Sequence, residues 1–530
     1  MEQLSQVSSA HSSSGGAPGS APAGGPWDRG RAAAGSTTAD GTGGAAARGG
    51  SPRGTRSRDA APGLVLAIVC AGVILASLDL FIVNVALPVI ARDFGHASLG
   101  ELSWVLNGYA IVYASLLVFF GRLADRHRRN YGFLLGVAIF TAASAACAAA
   151  VSVPMLVAFR LVQAAGAALL TPTSLGLVLA SYPAERRAGA VRAWTAIGGL
   201  AAALGPVAGG LLVTLSWRWV FLVNVPVGVA ALVLGWWKLP DVPGHPVRRP
   251  DALGAVLVTG GVGALTFGLV QGNTWGWGSP GTVGALAASV VLLALFALHC
   301  VRSSNPMVSP ALFRVHTFSG ASLAMTMFAT AFGAMLLSIV LWEQNVWGWS
   351  ALKAGLAIAP GPIMVPVCSF LVAGPLIRRF GPAAVVTLGL TVFAGGLAWW
   401  ALATTLQPDY VGSVLGGMLL TGTGVGLTLP TLMATAAGSL PPHSFATGSA
   451  VVNMIRQIGL AVGVAVLVVV LGTPATPAAA LAAFHRGWWV AAALALAGLI
   501  PTLLLLRPRP AATPAPQPGA DRDGTQPAEG

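Results

Sequence analysis

The sequence predicts an all-α integral membrane protein of fourteen transmembrane helices, built as two six-helix bundles with two inserted linker helices. Three observations predict it. Of 530 residues, 55% are hydrophobic and only 8% charged, whereas about a quarter of an average soluble chain is charged; the mean hydropathy is +0.76. Between two polar ends lie fourteen apolar segments, each long enough to cross a bilayer at about 20 residues per helix. Short motifs also recur at a nearly constant offset, as expected of a duplicated half.

In chain order, residues 1–60 are rich in Ser, Gly, Ala, Pro and Arg and hold no apolar run. They cannot bury enough surface to fold, so a disordered N-terminal tail is expected. The tail lacks the apolar core of a signal peptide, and only its Arg and Ser content resembles a transit peptide. The first bundle, 61–238, contains segments 63–88, 102–120, 132–151, 154–180, 191–214 and 219–238. Residues 239–316 supply loops and the inserted helices 252–271 and 282–301. The second bundle, 317–506, contains 317–341, 353–376, 382–404, 410–436, 449–471 and 487–506. Residues 507–530 form a Pro-rich polar tail, also expected to be disordered.

An even number of crossings places both ends on one side. If that side is cytoplasmic, the interior loops hold Arg122, Arg126, Arg128, Arg129, Arg186, Arg187, Arg192, Lys238, Arg248, Arg249, Arg302, Arg314, Arg378 and Arg379. The exterior loops hold only Arg92, Arg218, Lys353 and Arg486. Lys/Arg bias in short loops sets orientation, so both termini are predicted cytoplasmic and the chain multi-pass in the cell membrane. The same bias accounts for most of the net charge of +13, which is then a solvated face and not a nucleic-acid surface.

Four charges fit no loop. Asp79 stands in "ASLDLFIVNVALP" (76–88), Arg160 in the fourth segment and Arg456 in the thirteenth, while Glu343 is at the outer end of the ninth. A charge at the bilayer centre costs at least ~2.5–3.5 kcal/mol, so such residues face a protein cavity and mark function by default. Cys70, Cys147, Cys300 and Cys368 are scattered singly, which supports neither a disulfide framework nor a metal site. No P-loop, HExxH or Ser/His/Asp arrangement occurs. No enzyme activity, cofactor or metal is therefore expected, and without a nucleotide site ATP is not the expected energy source.

The repeat is carried by two pairs. "GRLADRHRRN" (121–130) is matched by "GPLIRRFGPA" (374–383), and "GAALLTPT" (166–173) by "GVGLTLPT" (424–431), at offsets of 253 and 258 residues. Parallel halves with a site between them near the midplane are a transporter architecture.

Several stretches resemble the fourteen-span drug:proton antiporters of the major facilitator superfamily. "LDLFIVNVALP" (78–88) is similar to that family's L-D-x-T-I-V-N-V-A-L-P, "GRLADRHRR" to its loop G-x-L-A-D-R-x-G-R-R, and "RLVQAAGAALLTPTSL" (160–175) to R-x-x-Q-G-x-G-A-A. "GPVAGGLL" (205–212) resembles the antiporter G-P-x-x-G-G element, and "WRWVFLVNVPVG" (217–228) the family's W-R-W-x-F-x-x-N-x-P-x-G. The second half is a weaker match, with "NMIRQIG" at 453–459. Phe81, Arg128 and Ala164 depart from the pattern; Phe81 leaves Asp79 without the neighbouring hydroxyl. The resemblance implies the major facilitator fold and proton-coupled efflux of amphipathic small molecules, such as antibiotics, by alternating access. A facilitator or importer of one nutrient is the alternative within the superfamily.

Candidate residues follow. Asp79 and Arg160 are expected to couple protons. Asn84, Gln163, Trp342, Glu343, Gln344, Asn453, Arg456 and Gln457 are expected to line the substrate cavity; Glu343 would either select cationic substrates or snorkel to water. Gly121, Asp125 and Arg126 would form a latch at the inner face, with Gly121 letting the second and eleventh spans approach; the alternative is charge that only anchors topology. Gly205, Pro206, Gly209 and Gly210 would make a tight, kinked helix that seals the cavity. Tryptophans at the outer span ends, Trp217, Trp347 and Trp488 among them, read as interfacial anchors. The expected partners are an amphipathic substrate, protons and the lipid bilayer around a monomer.

Overall fold

The computed structural model describes residues 61–506 apart from His96, 245–248 and 442–443, together with the side chains of all these residues except Asp125, Ala184, Ala188, Phe445 and Ala446. Both tails therefore lie outside the described residues. Among the described residues the secondary structure is entirely helical. Thirteen stretches are long and apolar enough to cross a membrane. One of them, Ala351–Ala403, has 53 residues. As one helix it would be about 80 Å long at 1.5 Å per residue, more than twice the ~30 Å hydrocarbon core. It breaks at Gly381, whose φ of 82° belongs to the left-handed region that glycine enters without steric cost. The thirteen stretches thus make fourteen crossings.

In chain order these are α1 (Pro62–Asp93), α2 (Leu99–Arg126), α3 (Arg129–Ala148), α4 (Val153–Ser181), α5 (Ala184–Val213) and α6 (Trp219–Lys238). The inserted pair is α7 (Ala252–Trp275) and α8 (Pro280–Arg302). Then follow α9 (His316–Val346), α10 (351–380), α11 (382–403), α12 (Tyr410–Gly438), α13 (Phe445–Leu471) and α14 (Pro477–Leu505). Residues 61 and 506 share the face that the charge bias predicts to be cytoplasmic, here the inner face.

The two halves pack alike. In the first, α1 lies on α5, and α3 lies on α4 and α6. In the second, α9 lies on α13, and α11 lies on α12 and α14. Across the seam α5 meets α10, and the equivalent α13 meets α2. This equivalence is what a duplication produces. The inserted α7 bridges the seam from outside, touching both α2 and α13. Asn273 Nδ2 donates to Val469 O on α13 at 2.8 Å, and Trp104 on α2 meets Phe267 at 6.1 Å. In α8 only Thr282, Ser289 and Cys300 are buried, which leaves an apolar surface suited to lipid.

The start of α14 differs from the sequence expectation of 487. Thr476 accepts from Ala479 N–H and Pro477 occupies the first turn, a strong helix start. Arg486 counts with the exterior loops by sequence, yet the neighbouring His485 Nε2 is bonded to Thr404 Oγ1 at 3.1 Å inside the bundle. Trp488 consequently lies well within the helix, fully buried, and donates to Ser338 Oγ at 3.1 Å. Trp217 is no lipid anchor either: its Nε1 donates to Asp93 Oδ2 at 2.8 Å, beside an Arg218–Asp93 ion pair of 3.2 Å. Together they clamp the outer end of α1. Trp347 likewise donates into the protein, to Thr405 O at 2.9 Å.

Candidate functional site

Asp79 lies near the middle of the 32-residue α1, in a run so apolar that only tertiary contacts can satisfy a carboxylate. It is fully buried, as are Arg160, Gln163 and Ser144. Arg160 Nη1 donates to Asp79 Oδ2. Gln163 Nε2 donates to Asp79 Oδ1 at 2.9 Å and to Ser144 Oγ at 2.7 Å. Asn224 Nδ2, from α6, donates to Asp79 Oδ1 at 3.3 Å. Arg160 Nη1 also donates to Gln163 Oε1 at 2.7 Å, and its Nε to Val105 O at 3.2 Å. Every neighbour of the carboxylate in this set is a donor, the arrangement suited to an ionised acid. Losing either member of such a buried pair costs about 3–5 kcal/mol, because the other charge is left uncompensated.

The sequence reading missed Asn224, Ser144 and Tyr109. Asn224 stands in the quoted W-R-W-x-F-x-x-N stretch, where the Asn was the available signal. Ser144 sits in an Ala-rich run with no signal at all. Tyr109 lies under the Arg160 guanidinium, 4.1 Å from ring centroid to Cζ. The polar neighbours that Phe81 does not supply thus come from α4 and α6, with Ser144 of α3 holding their amides. Phe81 itself packs against Gly205, where an added Cβ would lie 2.6 Å from the Phe81 Cβ.

Arg160 also borders a small, mostly apolar cavity between the halves. Leu80, Asn84 and Asn107 line it from the first half, with Gly333, Leu336, Leu460 and Val464 from the second. The Arg160 Nη2 and both polar atoms of the Asn107 amide have no protein partner there. The buried pair therefore presents one edge to the seam.

Other candidates are placed differently. Gln163 is held within the Asp79 network and does not face the cavity. Trp342 is fully buried in a cluster with Trp347, Phe484 and Trp488, at centroid distances of 6.0, 5.3 and 5.4 Å. Glu343 neither snorkels nor faces an open vestibule. It is 0% exposed, in the π-helical turn Trp342–Val346, and neither carboxylate oxygen has a hydrogen-bond partner. Gln344 Nε2 donates to Val85 O on α1 at 2.9 Å, so it belongs to the closed outer seam. Gln457 is buried with Oε1 unpartnered. Arg456 and Asn453 are half-buried, and Arg456 Nε donates to Asn453 Oδ1 at 3.1 Å.

The Gly-Pro element makes the seam. Gly209 lies under the Ile82 carbonyl, 2.8 Å from where a Cβ would stand, and Gly210 under the Ala351 carbonyl at 2.7 Å. Gly355 of α10 is packed on the Pro206 carbonyl. Gly205 and Gly209 thus serve α1, while Pro206 and Gly210 serve the opposite half. All these contacts lie toward the outer ends. Toward the inner ends, the close approaches made by glycines stay within one half: Gly121 faces Pro172, Gly198 faces Val73, and Gly448 faces Leu440. Gly121 therefore adjoins α4 and not α11, because Pro172 occupies that side. The Asp125 side chain lies outside the described residues. Arg126 is exposed, and the neighbouring Arg128 pairs with Asp241 at 2.5 Å, joining this loop to the segment that leads into α7.

Residues 69–464 match the family described as Major Facilitator Superfamily. The chain belongs to that superfamily. Among similar proteins are the tetracenomycin C resistance and export protein of Streptomyces glaucescens, 33% identical over 78% of this chain and 76% of the relative, and the methylenomycin A resistance protein of Bacillus subtilis (strain 168), 36% identical over 78% and 88%. The cephamycin export protein of Amycolatopsis lactamdurans is 33% identical over 83% and 91%. Among solved structures, a bacterial homolog of the human lysosomal transporter Spinster, in an inward-facing and unoccupied conformation, superposes with TM-score 0.63 at 18% identity, covering 87% of this chain and all of that one. This likeness shows the superfamily fold.

Proposed function

We propose that this protein is a fourteen-span drug:proton antiporter that expels amphipathic small molecules, antibiotics among them, across the cell membrane by alternating access. Both termini are then cytoplasmic, the protein acts as a monomer, and the proton gradient is its energy source. The named activities of its relatives, export of and resistance to antibiotics, support the substrate class. The observation that carries the reading is the buried Asp79–Arg160 pair, set on the edge of a seam that is pressed shut toward one face only.

Opening outward hydrates this region and lets Asp79 take a proton from the acidic side. Protonation at a carboxylate oxygen removes the charge that Arg160 pairs with, which weakens the pair that holds this closed arrangement and shifts the balance between the two access states. Opening inward releases the proton, and Asp79 re-forms its pair. The loop at Gly121, Asp125 and Arg126 acts on the balance of the two states and not on the pocket.

The test uses everted membrane vesicles whose interior is acidified. The wild type accumulates a fluorescent amphipathic dye there. Asp79→Asn inserts normally but loses pH-driven accumulation, and Asp79→Glu retains part of it. Undiminished accumulation by Asp79→Asn would refute Asp79 as the proton carrier.

A further inference from the structure

The charges near the middle of the spans are unevenly neutralised. Asp79 and Arg160 cancel one another and are wholly buried. Glu343, near the outer end of α9, is enclosed in the closed seam. Arg456, near the middle of α13 (Phe445–Leu471), is not neutralised. It is half-buried; its Nε is fixed by the neutral Asn453 Oδ1, and no ion pair involves it among the described residues. Asp125, whose side chain is not described, lies twelve positions beyond Tyr113 on α2, about 18 Å away at 1.5 Å per residue.

The phenol of Tyr113 stands within electrostatic reach of the Arg456 guanidinium, and α13 packs along α2 across the seam. Tyr113 bonds to Thr171 Oγ1 at 3.2 Å and stacks on Tyr109 at 6.0 Å, nearly parallel at 7°. Tyr109 in turn carries Arg160. One turn farther along α13, Leu460 already lines the small cavity between the halves. Arg456 thus stands on the inner side of that cavity, two stacked rings from the Asp79 pair.

We propose that Arg456, oriented by Asn453 on the helix that packs along α2, binds an anionic group of the exported molecule, so that the preferred cargo is an amphipath bearing a carboxylate or an ionised phenol. This rests on the efflux reading above and names its substrate class. An unneutralised guanidinium at this depth gains most from a ligand that brings the missing negative charge, and its planar fork suits a carboxylate. The stacked Tyr113–Tyr109 pair places the bound anion beside the residues that hold the proton site.

The experiment uses everted vesicles with an acid interior and three coumarin dyes that differ in one substituent: a carboxylate, its ethyl ester, and a quaternary ammonium amide. The wild type should accumulate the carboxylate fastest. In Arg456→Gln the ratio of carboxylate to ester uptake should fall about tenfold, the size expected for one lost charge-assisted contact, and Arg456→Lys should restore part of it. Asn453→Asp keeps the arginine but places a carboxylate against its Nε, and should produce the same selective fall. A wild type that prefers the quaternary ammonium dye, or variants that lose all three dyes equally, would overturn the proposal while leaving efflux intact. A wild type that moves none of the three against the pH gradient would refute the efflux reading itself, and this proposal with it.

Discussion

Asp79 receives hydrogen bonds from Arg160, Gln163 and Asn224, and these do not play equal parts. Arg160 supplies the opposing charge; the two amides fix the carboxylate between α4 and α6 and tie it to Ser144. Replacing Asn224 by Leu removes a neutral donor and leaves the ion pair. The expected cost is about 1 kcal/mol, seen as a lower melting temperature in detergent, with slower proton-driven transport. A wild-type rate in Asn224→Leu would show that its bond to Asp79 is idle. Glu343 behaves oppositely. Both its oxygens lack partners, so Glu343→Gln removes no hydrogen bond and should unfold at the wild-type temperature or above. A lower temperature would reveal a partner formed only outside this closed state.

Two element-scale contacts carry their own expectations. At the start of α7, Asp251 accepts from Gly254 N–H at 2.8 Å, from Met307 N–H at 2.8 Å and pairs with His299 Nε2 at 2.9 Å. Partial burial works against its ionisation, but the bonds from Gly254, His299 and Met307 outweigh it and hold the carboxyl below the usual range. A depressed carboxyl stabilises the fold above its unfolded pKa, near 3.9, and loses that contribution as pH falls through the folded value. Asp251→Ala should therefore lower thermal stability at neutral pH by about 1 kcal/mol, the usual worth of a helix cap, and the difference from wild type should shrink in acid. At the other contact, Gly355→Ala sets a methyl against the Pro206 carbonyl and should hold α5 and α10 apart. Transport should fall, and a cysteine replacing Gln344 should become more reactive to a membrane-impermeant thiol reagent from outside; unchanged reactivity would mean that this contact does not close the seam. These elements show what the sequence could and could not reveal. Runs of apolar residues and the G-P-x-x-G-G spacing announce helices and a close approach. Which backbone each glycine meets, α1 for Gly209 and α10 for Gly210, is set by helices more than a hundred positions away. The break at Gly381 was legible as a loop, but the buried Trp488 was not, because Arg486 imitates a span boundary.

On the scale of the whole molecule, hydropathy and loop charge suffice for crossings and orientation, since the bilayer acts on each span separately. The pairing of Asp79 on α1 with its donors on α4 and α6 is a long-range convergence that no local pattern encodes. Orientation is open to a direct test. The four native cysteines are buried, so background labelling should be low. A cysteine replacing Gly278, where nothing stands within 4 Å of an added Cβ, should react with an impermeant maleimide in intact cells. A cysteine replacing the exposed Pro243 should react only after the membrane is opened. The reverse pattern would invert the arrangement.

The outer seam has one more consequence. Its closest contacts are made by main chain, with the carbonyls of Pro206 and Ala351 lying against glycines of the opposite half, and Gln344 reaching the Val85 carbonyl. A main-chain surface keeps its shape whatever side chains surround it. Substitutions that line the central cavity can therefore accumulate without spoiling the fit of the gate, and descendants can acquire new cargo while inheriting the same moving parts.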